Sequence, residues 1–329
     1  MPSPTAARLR PAALVLACAL LAGGAATAPA TAGESARQDV RRTRALYADP
    51  QSSAARAARD DATFEPLARA PQALWVTGAV ASDDVRRVVR DYADRANAAD
   101  RTPLVSVYAI PDRDCGLYSS GGIEGAEEYV TWVRQVAAGL RGRHAMVVLE
   151  PDAVAFFDDP RCHDVGDRLD LLRRATKALA RAGAWVYIDA GHSGWRSPEE
   201  MAPLLKRAGM AHARGFSTNV ANFVATAKER DYARALTRRL AAIGVPGRHY
   251  VIETARNGAR TAPAPGDVCN PVEARTGRRP RLVFDGALDG YVWVKHPGES
   301  DGRSADGTCH GGPPAGQWWP EGARRLLGD

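Results

Sequence analysis

Acidic residues recur where apolar runs of strand character end. Such runs give way to Pro111-Asp112-Arg113-Asp114-Cys115, to Glu150-Pro151-Asp152, to Asp189-Ala190-Gly191-His192, to Glu253, and to Lys295-His296-Pro297-Gly298-Glu299-Ser300-Asp301. One carboxylate after a strand is ordinarily a loop charge or a helix cap, but acids after five of seven strands converge on one mouth. Converging carboxylates either ligate a hard cation or divide acid and base roles around a glycosidic bond. Arg113, Lys295 and His192 share this mouth and compensate its acids, which lowers the attraction for a divalent ion, so no metal is expected. Trp75, Trp195 and Trp293 lie near strand ends and Tyr108 precedes Asp114, flat apolar faces of the kind on which sugar rings stack. Trp293, in the middle of a strand, reads as core.

Side chains at strand ends meet only if the strands share one sheet. Strand candidates lie at 73–77, 104–110, 145–150, 184–189, 215–219, 249–253 and 290–295. Between them apolar residues recur at intervals of three and four over 83–99, 126–140, 168–182, 198–208 and 230–243. This rhythm predicts parallel strands joined by crossover helices. No Gly-x-Gly-x-x-Gly follows the first strand and no Gly-Lys-Ser/Thr occurs, so the nucleotide signatures of open doubly wound sheets are missing and a barrel fits better. The expected fold is α/β: a distorted seven-stranded parallel β/α barrel, TIM-like, in a single domain whose chemistry sits at the carboxyl ends of the strands.

Of 329 residues, 45% are hydrophobic and 25% charged, which fits a soluble globular chain with a large core. Residues 1–32 read as a secretory signal: MPSPTAARLRP carries only positive charge, the apolar run from Ala12 to Ala22 is too short to span a membrane, and small residues end at Ala30-Thr31-Ala32. Cys18 is not read as a lipid anchor, because Leu20, Leu21 and Ala22 continue the run beyond it. Residues 33–45, polar and Arg-rich, read as a ragged lead-in to a domain over 46–329. The net charge of +6 falls to about +4 once Arg8 and Arg10 leave with the signal, and the remaining arginines are interleaved with acids; nucleic acid needs them concentrated on one face. An extracellular monomer without a membrane attachment is expected. Loss of Cys18 leaves Cys115, Cys162, Cys269 and Cys309, an even number headed for an oxidising compartment, so disulfides are expected in one of three pairings. No Cys-x-x-Cys or His/Cys cluster competes as a zinc site, and no cofactor is implied.

Five segments carry a resemblance: Asp112-Arg113-Asp114-Cys115-Gly116, Glu150-Pro151-Asp152, Tyr187-Ile188-Asp189-Ala190-Gly191-His192-Ser193-Gly194-Trp195, Thr254-Ala255-Arg256-Asn257-Gly258 and Lys295-His296-Pro297-Gly298-Glu299-Ser300-Asp301-Gly302. In order and spacing they resemble the motifs of glycoside hydrolase family 6, the inverting cellulases, from about Leu46 to the C-terminus. The resemblance implies a β-1,4-glucan substrate and a barrel of seven parallel strands. It makes Asp152 the proton donor, Asp114 the second acid that keeps the donor's pKa raised, and Asp301 the candidate base, acting directly or through a second water. Arg113 and Asp189 match neighbours that orient these carboxyls, Ser120 a residue that positions the attacking water, and Tyr108 the ring under the reacting sugar. Trp75, Trp195, Asn219, Asn222, Lys295 and Glu299 fall to substrate binding. The resemblance also pairs Cys115 with Cys162 and Cys269 with Cys309.

The chain departs from the pattern at Glu253, where relatives usually have Asp, at His296, where an apolar residue is common, and at Val268, where many place a stacking Trp. These changes touch the preferred glucan more than the reaction. The expectation is a secreted, metal-independent endo-β-1,4-glucanase acting by inversion; a chain-end cellobiohydrolase of the same family, a non-catalytic glucan-binding protein and a metal-dependent phosphoesterase compete with it. Few residues are spare in the two cysteine-bounded loops for a roof over the cleft, which favours internal cutting.

Overall fold

The computed structural model describes residues 39–162, 167–304 and 307–328; the signal expected over 1–32 lies outside them. Eight strands form one curled sheet: β1 (Leu74–Thr77), β2 (Leu104–Tyr108), β3 (Met146–Leu149), β4 (Trp185–Asp189), β5 (Gly215–Thr218), β6 (His249–Glu253), β7 (Arg281–Asp285) and β8 (Leu288–Val292). Their order is β1-β2-β3-β4-β5-β6-β8-β7, all parallel except the β7–β8 hairpin. The helices are α1 (Ser53–Asp60), α2 (Glu65–Ala68), α3 (Ser82–Ala98), α4 (Ala126–Leu140), α5 (Arg168–Arg181), α6 (Pro198–Arg207), α7 (Thr226–Ala242) and α8 (Pro320–Leu327).

The parallel strands and α3 to α7 are those the sequence predicts, with ends moved by a few residues. The eighth strand and the helices α1, α2 and α8 are the differences. Arg281-Leu282-Val283-Phe284-Asp285 is an edge strand, partly exposed throughout, so it carries neither a buried apolar run nor a clean alternation. The barrel therefore does not close by a strand ladder. β1 and β8 meet along a seam bridged by Ala73 N–H donating to Trp293 O (3.0 Å) and by Trp75 Nε1 donating to Val294 O (2.6 Å).

β2 and β3 are buried at every position because helices cover one face and the barrel interior the other. Val89 and Tyr92 of α3, Trp132 of α4 and Leu172 of α5 pack on the outer face. Leu104, Met146, Val148, Tyr187, Val251 and Val292 fill the interior. A third cluster sets Phe64, Leu67 and Ala323 around Trp293, which is core as expected although it lies one residue beyond the end of β8.

The lead-in is not ragged from Asp39 onward. Arg41 is buried, donates through Nη1 to the carbonyls of Ala145 (3.0 Å) and Gly183 (2.9 Å), pairs with Asp39 (2.7 Å) and lies 4.4 Å over Trp185. A segment read as merely polar thus docks on the starts of β3 and β4, because open strand-end carbonyls accept from a guanidinium. Cys115–Cys162 and Cys269–Cys309 are the disulfides, the pairs the resemblance implies, with sequence separations of 47 and 40.

Candidate active site

Not every strand-end acid faces the mouth. Glu150 is fully buried and accepts from the Ala109 and Ile110 amides (both 3.0 Å at Oε2) and from Tyr129 Oη (2.9 Å). Glu253 likewise accepts from the amides of Ala255, Val294 and Lys295 at 2.8, 2.6 and 3.0 Å. Both are clamps that hold neighbouring strand ends together. Burial lifts each to about 7 against the pull of those donors.

Two residues beyond Glu150 the chain turns, with Asp152 at φ 69°. Asp114 also sits at positive φ, 62°, a conformation that non-glycine residues reach only at a cost of about 1–3 kcal/mol and that clusters at functional sites. The Asp152 amide donates to Asp189 Oδ2 (2.9 Å), which also accepts from Gly191 N (3.0 Å), while Asp189 Oδ1 accepts from Ser217 Oγ (2.9 Å). Asp189 thereby fixes the turn from beneath and is itself fully buried. Burial first, then the charges of Asp189 and Asp114, push the Asp152 carboxyl well above the usual carboxylate range. Burial also raises Asp114, opposed by the Ser119 amide bonded to its Oδ2 (2.6 Å). Arg113 orients the adjoining loop more than the carboxyls. It donates to the carbonyls of Ser119 (2.8 Å), Tyr108 (2.9 Å) and Ser120 (3.3 Å) and lies 4.5 Å over the Tyr108 ring. The loop returns against β2 so closely that a Cβ at Gly122, φ 112°, would stand 2.1 Å from the Ile110 carbonyl oxygen.

Asp301 has the opposite surroundings. Arg256 Nη1 lies 2.5 Å from its Oδ2, Lys295 Nζ 2.8 Å from Oδ1, and the Asn270 amide donates to Oδ2 at 2.9 Å. Those cations outweigh burial and hold the carboxyl far below its ordinary value. Arg256 and Asn270 are the residues the sequence reading left without a role. Arg256 stands inside a quoted motif and Asn270 follows a half-cystine, yet neither position signals contact with a residue more than 30 places away.

Around these acids runs a cleft of about 570 Å³. Trp75, Tyr108, Arg113, Ser120, Trp195, Asn222, Lys295 and Glu299 all line it with Asp114, Asp152 and Asp301, as does Val268 where a stacking ring is absent. Trp75 meets Tyr108 edge-on at 5.2 Å and Trp195 meets Phe156 at 4.8 Å, so each platform is braced by a second ring. Asn219 does not reach the cleft. It is buried, and its amide is spent on Val224 O, Glu253 O and Val224 N, which shapes the loop after β5. His192 accepts from Gly194 N at Nδ1 (3.1 Å), and burial lowers its pKa, so it is no cation of the mouth. The arrangement sets a carboxyl whose surroundings favour its proton and a carboxylate whose surroundings favour its charge in one aromatic-lined groove, the contrast that a division of acid and base roles in glycoside hydrolysis would use.

Residues 32–329 match the family described as Glycosyl hydrolases family 6. The chain belongs to this family. Among curated relatives of this family 6 enzyme, it is 42% identical over 290 residues to Endoglucanase A of Cellulomonas fimi, covering 86% of this chain but 61% of that protein. It is 34% identical to Endoglucanase 1 of Streptomyces halstedii, covering 94% and 95% of the two chains, and 31% identical to a 1,4-β-D-glucan cellobiohydrolase C of Emericella nidulans, covering 72% and 61%. Among solved structures, the endoglucanase Cel6 from Mycobacterium tuberculosis in complex with methyl-cellobiosyl-4-deoxy-4-thio-β-D-cellobioside superposes with a TM-score of 0.80 at 38% identity, covering 88% of this chain and 98% of that one. The family 6 hydrolase thus shares the curled, mostly parallel sheet of its relatives.

Proposed function

We propose that this family 6 hydrolase is a secreted endo-β-1,4-glucanase that cleaves internal bonds with inversion, Asp152 acting as general acid. The observation that carries the reading is the contrast between Asp152, raised by burial and two neighbouring acids and without an ion pair among the described residues, and Asp301, held between Arg256 and Lys295. In the reaction Asp152 gives its proton to the glycosidic oxygen as the bond to the anomeric carbon breaks. A water attacks that carbon from the opposite face and releases its proton toward Asp301. Asp114 sustains the donor's raised pKa, Ser120 helps hold the water, and Trp75 and Trp195 stack the sugars on either side. The endoglucanase names of relatives and the cello-oligosaccharide in the Mycobacterium tuberculosis neighbour support the substrate class.

Attack at chain ends is the second reading, and one contact favours it. Tyr118 Oη lies 2.6 Å from Thr308 Oγ1, so the loops tied by the two disulfides touch. A single exposed neutral hydrogen bond contributes about 1 kcal/mol, which leaves it broken in roughly one molecule in six. A clasp that weak would admit a chain from the side, which supports internal cutting. Early proton NMR of cellotetraose hydrolysis should show the α-anomer first; a β-anomer overturns inversion. Carboxymethyl cellulose should lose viscosity before many reducing ends appear, whereas slow viscosity loss with cellobiose as the main early product establishes chain-end attack. A purified protein that binds both substrates and cuts neither would favour the glucan-binding alternative.

A further inference from the structure

His296 stands between two oxygen acceptors. Its Nε2 lies 2.6 Å from the Ala73 carbonyl oxygen, and its Nδ1, 2.9 Å from Glu299 Oε1, makes a close ion-pair contact without hydrogen-bond alignment. A neutral imidazole bonded to Ala73 through Nε2–H would turn the Nδ1 lone pair toward a carboxylate oxygen; the imidazolium replaces that repulsion by attraction between opposite charges. The ring is largely covered, with 15% of the side chain exposed, and Glu299 with 16% is nearly as enclosed. Ser53 Oγ, reaching over from α1, donates to the same Oε1 at 2.5 Å. Oε1 is thereby occupied, and Glu299 lines the cleft with its second oxygen unassigned among the described residues.

We propose that His296 is a positioning residue which, as an imidazolium wedged between β1 and Glu299, holds the Glu299 carboxylate against the cleft wall and makes glucan affinity fall as the solution turns alkaline. This rests on the reading of the cleft as a β-1,4-glucan site. The charged groups facing the ring are Glu299, which favours the imidazolium, and Lys295, which opposes it and is itself occupied by Asp301. The pair raises His296 above its ordinary value and lowers Glu299, in keeping with the geometry. The sign follows. The contact is fully made below the free imidazole's pKa and is lost as pH rises through the raised one. Above that point the Nδ1 lone pair faces Oε1, the carboxylate turns away, and a sugar hydroxyl loses a charged acceptor, which raises KM by about tenfold. At this position an apolar residue would give no such dependence.

Two arms test the proposal. In 15N-histidine-labelled enzyme without substrate, the His296 signals, assigned through His296→Gln, should show both nitrogens protonated at pH 6 and a midpoint above that of free imidazole; a neutral ring at pH 6 overturns the proposal. With cellotetraose, wild-type KM should rise about tenfold across that same titration while the alkaline limb of kcat stays with Asp152. His296→Leu should raise KM at pH 6 and flatten its profile. His296→Gln, which keeps a neutral donor, should recover part of the affinity with the profile still flat. A merely structural role lowers the melting temperature in both variants and leaves the KM slope intact, which overturns the proposal. If neither variant folds, a wild-type KM that rises at a pH other than the NMR midpoint overturns it. Cellotetraose that is neither bound nor cut, beside a titrating imidazolium, sinks the glucan reading instead and takes the affinity role with it.

Discussion

Replacing Asp152 by asparagine removes a proton from the cleft and little else. The backbone amide that donates to Asp189 is untouched, and the side chain has no ion pair to lose among the described residues, so the melting temperature should stay within a degree or two of the parent. Asparagine cannot protonate a leaving alcohol. General acid catalysis contributes about 100- to 10,000-fold, so kcat on cellotetraose should fall by that factor, equivalent to roughly 2.7–5.4 kcal/mol at 1.36 kcal/mol per decade. The leaving group separates this loss from simple misplacement. A dinitrophenyl β-cellobioside releases a phenolate that leaves without a proton, so the variant should cleave it within about tenfold of the parent. The pH profile adds a sign. If Asp152 is the donor, its active form is protonated, and because burial and two acids raise it well above the ordinary value, parent activity should fall as pH rises through that raised pKa and the limb should vanish in the variant on the aryl substrate. Near-parent hydrolysis of cellotetraose by a preparation free of contaminating cellulase, or equal losses on the two substrates, refutes the assignment of the donor.

Asp114→Asn removes a charge that raises Asp152, so the alkaline limb of kcat/KM should move to lower pH; an unmoved limb contradicts the electrostatic role. At the opposite end of the sheet, Asp289→Asn strands Arg214 (2.9 Å), His249 (3.0 Å) and Tyr187 Oη (2.6 Å) around a fully buried site, and thermal unfolding should show a loss of about 3–5 kcal/mol, or roughly 10 °C. In the parent that carboxylate is lowered to about 2, so its contribution holds above the unfolded value near 3.8 and drains away as pH falls through 2; a stability flat across that window refutes it. Replacing Cys269 and Cys309 by alanine opens a 40-residue loop and should cost up to about 4 kcal/mol in urea titrations, with reductant leaving the variant unaffected.

Much of this site was legible because its acids sit in short motifs at the ends of apolar strands, where sequence proximity and spatial proximity coincide. Legibility stops where contacts are long-range. Glu150 and Asp152 lie two residues apart, and only the fold shows that the first turns into the sheet to clamp Ala109 and Ile110 while the second turns out into the cleft. The resemblance assigns Asn219 to substrate binding, yet its amide is consumed by the backbone of its own loop and of β6. β7 escaped notice because an edge strand owes its pairing to β8 and needs no apolar face of its own.

The same long-range contacts decide which acid does what. Asp152 and Asp301 are the same residue type at the same kind of address, and apart from Lys295 in Asp301's own motif the groups that set them apart come from elsewhere in the chain. Asp152 is buried against Asp114 and Asp189, so every neighbour opposes its charge; Asp301 is buried against Arg256, Lys295 and the Asn270 amide, so every neighbour favours it. Burial amplifies both outcomes, because a low dielectric strengthens repulsion and attraction alike. The cost falls on Asp301 as a base: a carboxylate that strongly favours ionisation holds a transferred proton poorly. On the proposed reading, its fixed charge would therefore contribute most as positive charge grows on the sugar ring, and the water's proton would be taken up late, once the new bond to the anomeric carbon has made that water acidic enough to release it.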